Sequence, residues 1–227
     1  MCSRYSLTSP PEAVRSYFRH VNSAEFPPRY NIAPTQPIAI VRTSLRDEIE
    51  LELVRWGLIP PWVKDPRTFT TLINARSESA LEKPSFRGSM RHHRCLVPAD
   101  GFYEWVGPPR AKRPHLIRPA AGGPIALAGL WSHWLGADGS EFDTAAILTV
   151  AANALVSNVH DRMPAILAPD QFAAWLDCKT VDGPAAARLL QPAPEHLLEI
   201  IEVDPRLNNW RNEGADLQRP VVAARLL

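Results

Sequence analysis

Prolines and glycines cut this chain into apolar runs that are too short for long helices and too unevenly spaced for a strand–helix–strand repeat. The 227 residues include 23 Pro and 11 Gly, spread over the whole length. Proline stops a helix interior and a central strand, and glycine supplies the turns. Between these breaks, residues 37–41, 95–97, 102–105, 115–118, 125–131, 145–151 and 198–203 read as strands. Residues 49–54 alternate Ile49, Leu51 and Leu53 against Glu50 and Glu52, which predicts a hairpin with the 37–41 run. Gly107-Pro108-Pro109 and Gly122-Gly123-Pro124 are the expected turns. Helices are expected at 11–21, capped by Ser9, at 79–83, at 169–176 and at 184–190. Many strands, few helices and no βαβ alternation predict an α+β fold: one domain over residues 1–227, with a curled, barrel-like, mainly antiparallel sheet and flanking helices.

No run reaches 18 apolar residues, and Arg4 and Ser6 stand where an export signal needs an apolar stretch. The expectation is a cytoplasmic monomer with no membrane contact. Three widely spaced cysteines, Cys2, Cys95 and Cys178, fit neither a disulfide framework nor a zinc site. Of 25 basic residues, 21 are Arg, a bias towards bidentate or stacked anion contacts. The net charge of +1 is unevenly placed: residues 1–118 carry 18 basic and 11 acidic side chains, and 119–227 carry 7 and 13. That distribution is compatible with one phosphate-binding face.

Several residues carry possible chemistry. With Met1 removed, Cys2 presents an α-amine and a thiol two carbons apart, with reference pKa values of about 7.7–8.0 and about 8.5. Such a 1,2-aminothiol condenses with an aldehyde to a thiazolidine; with Met1 in place, Cys2 is an ordinary core thiol. Glu104 lies among aromatics in Gly101-Phe102-Tyr103-Glu104-Trp105 and, facing inward, suits a general acid or base; strand alternation could equally turn it to solvent. His160, beside Asp161 and Arg162, is either a tuned acid–base or part of a loop salt bridge. Asn74 and Arg76 share a face of an extended segment, where they could hold a reacting oxygen and a phosphate, or Asn74 could cap the helix that follows. Trp56 and Trp62 bracket Pro60-Pro61 in what reads as an aromatic loop. Glycine-rich phosphate loops and H-E-x-x-H are absent from the sequence, so no metal and no cofactor is expected.

Six segments taken in order are similar to those of the SRAP (SOS-response-associated peptidase) family. They are Cys2-Ser3-Arg4-Tyr5, Arg29-Tyr30-Asn31-Ile32-Ala33-Pro34, Trp56-Gly57-Leu58-Ile59-Pro60, Asn74-Ala75-Arg76-Ser77-Glu78, Cys95 through Trp105, and His160-Asp161-Arg162-Met163-Pro164. The resemblance extends to Asn209 and Asn212-Glu213-Gly214-Ala215-Asp216-Leu217. It implies a protein that captures abasic sites in single-stranded DNA as a covalent crosslink. Cys2 would be the nucleophile, surrounded by Asn74, Glu104 and His160. Arg4, Arg76 and Arg162 are the expected phosphate contacts, and Trp62 and Trp105 the stacking side chains. The family usually has glycine after the cysteine, so Ser3 is a departure that could narrow the approach to Cys2 or restrict its backbone.

Two other readings use the same residues. A cysteine peptidase or N-terminal-nucleophile hydrolase could be assembled from Cys2, His160 and Asn74 or Asn158. A noncovalent reader of damaged DNA would rest on the arginines and tryptophans alone.

Overall fold

A computed structural model describes residues 2–108 and 110–221. Its strands are β1 (Tyr5–Leu7), β2 (Arg29–Ile32), β3 (Pro37–Thr43), β4 (Ile49–Trp56), β5 (Asn74–Arg76), β6 (Arg94–Ala99), β7 (Gly101–Val106), β8 (Arg113–Pro119), β9 (Ile125–Leu135), β10 (Glu141–Ala151), β11 (Arg162–Pro164), β12 (Ile166–Leu167) and β13 (Leu198–Glu202). The α-helices are short: α1 (Pro11–Phe18), α2 (Arg87–His92), α3 (Ala154–Ser157), α4 (Phe172–Leu176) and α5 (Gly183–Ala187).

Five strands close on themselves. β10 pairs with β4, β4 with β3, β3 with β6, β6 with β9, and β9 returns to β10. Closure satisfies the backbone groups that an open edge would leave unpaired. The α+β class with a barrel-like sheet is therefore the observed architecture. The sheet is mainly antiparallel, although β10 runs parallel to both β4 and β5. The β-branched and aliphatic runs that predicted strands become barrel wall: Ile38, Ile40, Val41, Leu96, Val97, Leu127, Leu130 and Leu148 are all buried. At Gly129 the wall is tight, since a Cβ there would lie 2.8 Å from the Cys95 Sγ.

A second sheet, ordered β13-β8-β7-β1-β2, is antiparallel throughout. It carries the N-terminal strand. Ser6 in β1 lies opposite Gly101 in β7, where an added Cβ would come within 2.8 Å of the Ile117 carbonyl oxygen in β8. Only glycine lets the three backbones approach so closely.

Several expectations are corrected. The first helix starts at Pro11 after Pro10, without a side-chain cap, because the Ser9 hydroxyl binds Asp100 at 2.6 Å instead. It stops at Phe18, where Arg19 takes a left-handed φ of 55° that closes the last turn, and Val21 is left outside. The 79–83 pattern is only a 3₁₀ turn at Ser77–Ser79 followed by irregular turns. Trp56 is the last residue of β4 rather than part of a loop; it is fully buried, and its Nε1 donates to the Ile73 carbonyl at 3.0 Å. Leu53 faces solvent while Val54 is buried, against the expected inward Leu53. The turn at Gly107-Pro108-Pro109 is described except for Pro109, which lies outside the described residues.

The arginine bias is partly architectural. Arg94 is almost fully buried and donates to the carbonyls of Trp175 (2.7 Å), Met90 (3.0 Å), Asp177 (2.6 Å) and Val181 (2.8 Å). A fork of five donors suits a cluster of helix-end carbonyls as well as it suits a phosphate.

Candidate active site

The N-terminal segment enters the protein beside both sheets. Cys2 is fully buried, and its thiol points to the Arg4 carbonyl, with Sγ to oxygen 3.8 Å. The same carbonyl accepts the Tyr103 N–H at 3.0 Å, so Cys2 and the Tyr103–Glu104 pair of β7 meet at one backbone oxygen. From the other side, the Asn74 Nδ2 donates to the Cys2 carbonyl at 2.7 Å. Asn74 is therefore not a helix cap; it holds the cysteine backbone. Its remaining acceptor, Oδ1, is buried and has no hydrogen-bond partner among the described residues.

Burial pushes the Cys2 thiol well above its ordinary pKa, and the nearby Glu104 carboxylate pushes it further. Glu104 is turned inward, with only 5 % of its surface exposed. Period-2 alternation did not turn it to solvent because both faces of β7 are covered from Gly101 to Glu104. Tyr5 is also fully buried, its ring edge-on to Trp56 at 5.3 Å, and burial raises its hydroxyl pKa.

β10 joins the next two members. Ile147 lies opposite Asn74 and Thr149 opposite Arg76, while Thr149 and Ala151 also pair with Pro164 and Arg162 of β11. His160 precedes β11 and is half-buried. Its Nδ1 lies 2.9 Å from the Arg162 N–H and 2.8 Å from Asp161 Oδ1. Accepting from the amide requires a bare Nδ1 and so a proton on Nε2; pairing with Asp161 requires a proton on Nδ1.

The expected anion contacts differ in availability. Arg76 is exposed, on the same strand face as Asn74, and makes no side-chain hydrogen bond or ion pair among the described residues. Arg162 grips Glu78 with two bonds of 2.6 and 2.9 Å and also binds the Thr149 carbonyl at 2.6 Å. The Arg4 Nη1 is held by Asn31 Oδ1 at 2.6 Å and the Leu207 carbonyl at 3.2 Å, and its guanidinium lies 5.5 Å over the Trp105 ring. Trp105 donates to Asn208 Oδ1 at 2.6 Å and is half-buried. Trp62 stands out in the loop that rises from the Leu58–Leu72 bridge, 57 % exposed and edge-on to Phe69.

One residue that sequence reasoning passed over organises this wall. Asn31 is fully buried; besides accepting from Arg4, it donates to the carbonyls of Leu207 (3.3 Å), Asn209 (3.1 Å) and Asn212 (3.0 Å). An amide within a strand and directly before Ile32-Ala33 was the available signal. Ser3 needs no glycine backbone: outside glycine, the described residues with left-handed φ are Arg19, Thr35 and Asp47. The expected loss of Met1 concerns a residue outside the described ones. Among the described residues no cluster of three or more His, Cys, Asp or Glu side chains could hold a metal. No helix among them is long and apolar enough to cross a membrane.

These features define a class: an α+β barrel protein whose second residue is a buried cysteine, held by an amide and flanked by a carboxylate, with an imidazole just before β11, the strand across β10 from that amide. The chain belongs to the SOS response associated peptidase (SRAP) family, whose model matches residues 1–210. It is 36 % identical over 221 residues to the abasic site processing protein YoqW of Bacillus subtilis, covering 96 % of this chain and 98 % of that protein. Against the abasic site processing protein YedK of Escherichia coli the identity is 33 % over 196 residues, 85 % of each chain. A crystal structure of a Bacteroides thetaiotaomicron protein superimposes with a TM-score of 0.86 at 26 % identity, covering 97 % of this chain and 100 % of that one.

Proposed function

We propose that this protein processes abasic sites in single-stranded DNA by capturing them on Cys2 as a thiazolidine. The observation that carries the reading is the clamp on Cys2, its carbonyl held by Asn74 at 2.7 Å and its thiol buried beside Glu104. The relatives named as abasic site processing proteins support the substrate.

The burial of the thiol sets the order of events. Burial disfavours the thiolate, so the α-amine freed by loss of Met1 is the first nucleophile. The amine nitrogen adds to the C1′ aldehyde of the ring-opened sugar, and loss of water from the carbinolamine leaves an imine. The thiol sulfur then bonds to the imine carbon, the carbon–nitrogen π pair returns to nitrogen, and the thiol proton ends on that nitrogen. Glu104 is the base that carries this proton, and His160 serves opening of the sugar ring and departure of water. Asn74 fixes the cysteine backbone and offers Oδ1 to the amine or a sugar hydroxyl. Ring closure consumes the imine through which the strand would break by β-elimination. Arg76 supplies a phosphate contact directly, whereas Arg162 does so by exchanging Glu78 for phosphate. Trp62 and Trp105 flank the missing base, and the protein shields the lesion during the response to DNA damage.

A thiolate peptidase is the weaker reading, because burial and a neighbouring carboxylate both suppress the thiolate it requires. The test uses single-stranded DNA with one uracil, a uracil glycosylase and a denaturing gel. A slow-migrating covalent band for the wild type and its absence for Cys2→Ala are expected. An equal band from Cys2→Ala, or none from a wild type whose mass confirms a free Cys2, would sink the proposal.

A further inference from the structure

We infer that Trp210 and Arg211 form an additional platform for an unpaired nucleobase flanking the lesion; the inference rests on the proposed DNA substrate. Trp210 is 45 % exposed, and the Arg211 guanidinium lies 4.9 Å from its ring centroid. An exposed indole beside a cation is the pairing that single-strand binders use: the ring stacks on a base and the cation meets the adjoining phosphate.

The position of the pair comes from the hydrogen bonds around it. Asn31 holds the carbonyls of Asn209 and Asn212, one on each side of Trp210-Arg211. The Asn212 Nδ2 returns to the Arg206 carbonyl at 2.7 Å, and the Asn209 Oδ1 accepts the Arg211 N–H at 3.1 Å. The turn is thus fixed at its base while its two side chains project. Asn31 also binds Arg4, two residues from Cys2, and Asn208 binds Trp105, next to Glu104. Trp210 is thus tied to the Cys2 region by two short routes, Arg4–Asn31–Asn209 and Trp105–Asn208. A strand whose abasic sugar sits at Cys2 has neighbouring bases with no complement, and a preformed turn spares the entropy of ordering a loop around them.

The experiment measures binding of fluorescent single-stranded DNA with a stable tetrahydrofuran abasic analogue, which cannot crosslink, with oligonucleotides shortened in turn on the 5′ and the 3′ side. Trp210→Ala should weaken binding about five- to tenfold, the size of a lost stacked base. The loss should vanish when nucleotides are removed on one side of the lesion and persist when they are removed on the other. Trp210→Phe should recover most of the affinity, and Leu45→Ala, on the exposed turn between β3 and β4, should change nothing. Unchanged affinity for Trp210→Ala, or a loss that ignores which side is shortened, overturns the platform. Failure of the wild type to crosslink a real abasic site overturns the proposed function instead, and leaves this binding measurement to decide whether Trp210 contacts DNA.

Discussion

The two walls around Cys2 are built on opposite plans. On the side of β1, β2 and β7, polar groups are spent on one another: Asn31 has four partners, Arg4 is held by two of its neighbours, and the Tyr103 hydroxyl donates to the Tyr30 carbonyl at 2.6 Å and receives Gln218 at 2.7 Å. On the side of β5 and β11, Arg76 is exposed and the buried Asn74 Oδ1 has no hydrogen-bond partner among the described residues, and Arg162 is held by a carboxylate that is itself 56 % exposed. The first wall satisfies its polar groups internally; the second holds the Cys2 carbonyl through Asn74 and keeps an exposed cation at Arg76. An amide or guanidinium can do either, and its neighbours decide which.

The largest effect that could break this contrast is at Asn31. Asn31→Ala removes an acceptor of the Arg4 guanidinium and the donor shared by the carbonyls of Leu207, Asn209 and Asn212, and should lower stability by about 3 kcal/mol, read from urea unfolding. A loss below about 1 kcal/mol would show that the pinned wall does not depend on it. A smaller effect is expected on the open wall. Arg76→Ala should leave the unfolding midpoint unchanged but reduce the slope of log affinity against log salt by about 0.7, the single-strand value for one phosphate. Arg162→Ala should instead lower the midpoint, because Thr149 and Glu78 lose their partner; equal behaviour of the two variants would erase the distinction. The smallest effect is on thiol reactivity. With DNA absent, Cys178 should alkylate first and Cys2 slowly, because a raised thiol pKa leaves less thiolate at any given pH. The Cys2 rate should go on climbing well above pH 8.5, and a plateau by pH 8 in peptide mass mapping would contradict the raised pKa.

The barrel was legible because its strands are apolar runs bounded by Pro and Gly, and those signals are local. Its closure was not: the parallel pairing of Thr144 and Ala145 with Arg55 and Trp56 joins segments about ninety residues apart, and neither segment names its partner. Helix ends were misplaced for a similar reason. Ser9 has the chemistry of a cap, but Asp100 takes its hydroxyl, and nothing near residue 9 announces that. Asn74 was recognisable as a residue that could hold an oxygen or cap a helix; choosing between them required the Cys2 carbonyl to be placed beside it. For Arg162 the sequence showed a cation next to His160 and Asp161, while the bond that occupies it reaches back to Glu78.

The bonds that Asn31 makes to Leu207, Asn209 and Asn212 also set a timetable. Cys2 and the turn that completes its wall lie about two hundred residues apart along the chain, and so in synthesis. At about 5–20 residues per second, roughly 10–40 seconds separate the two. Through that interval Cys2 has no finished cavity. The surroundings of Cys2 are complete only once residues 207–212 have been made.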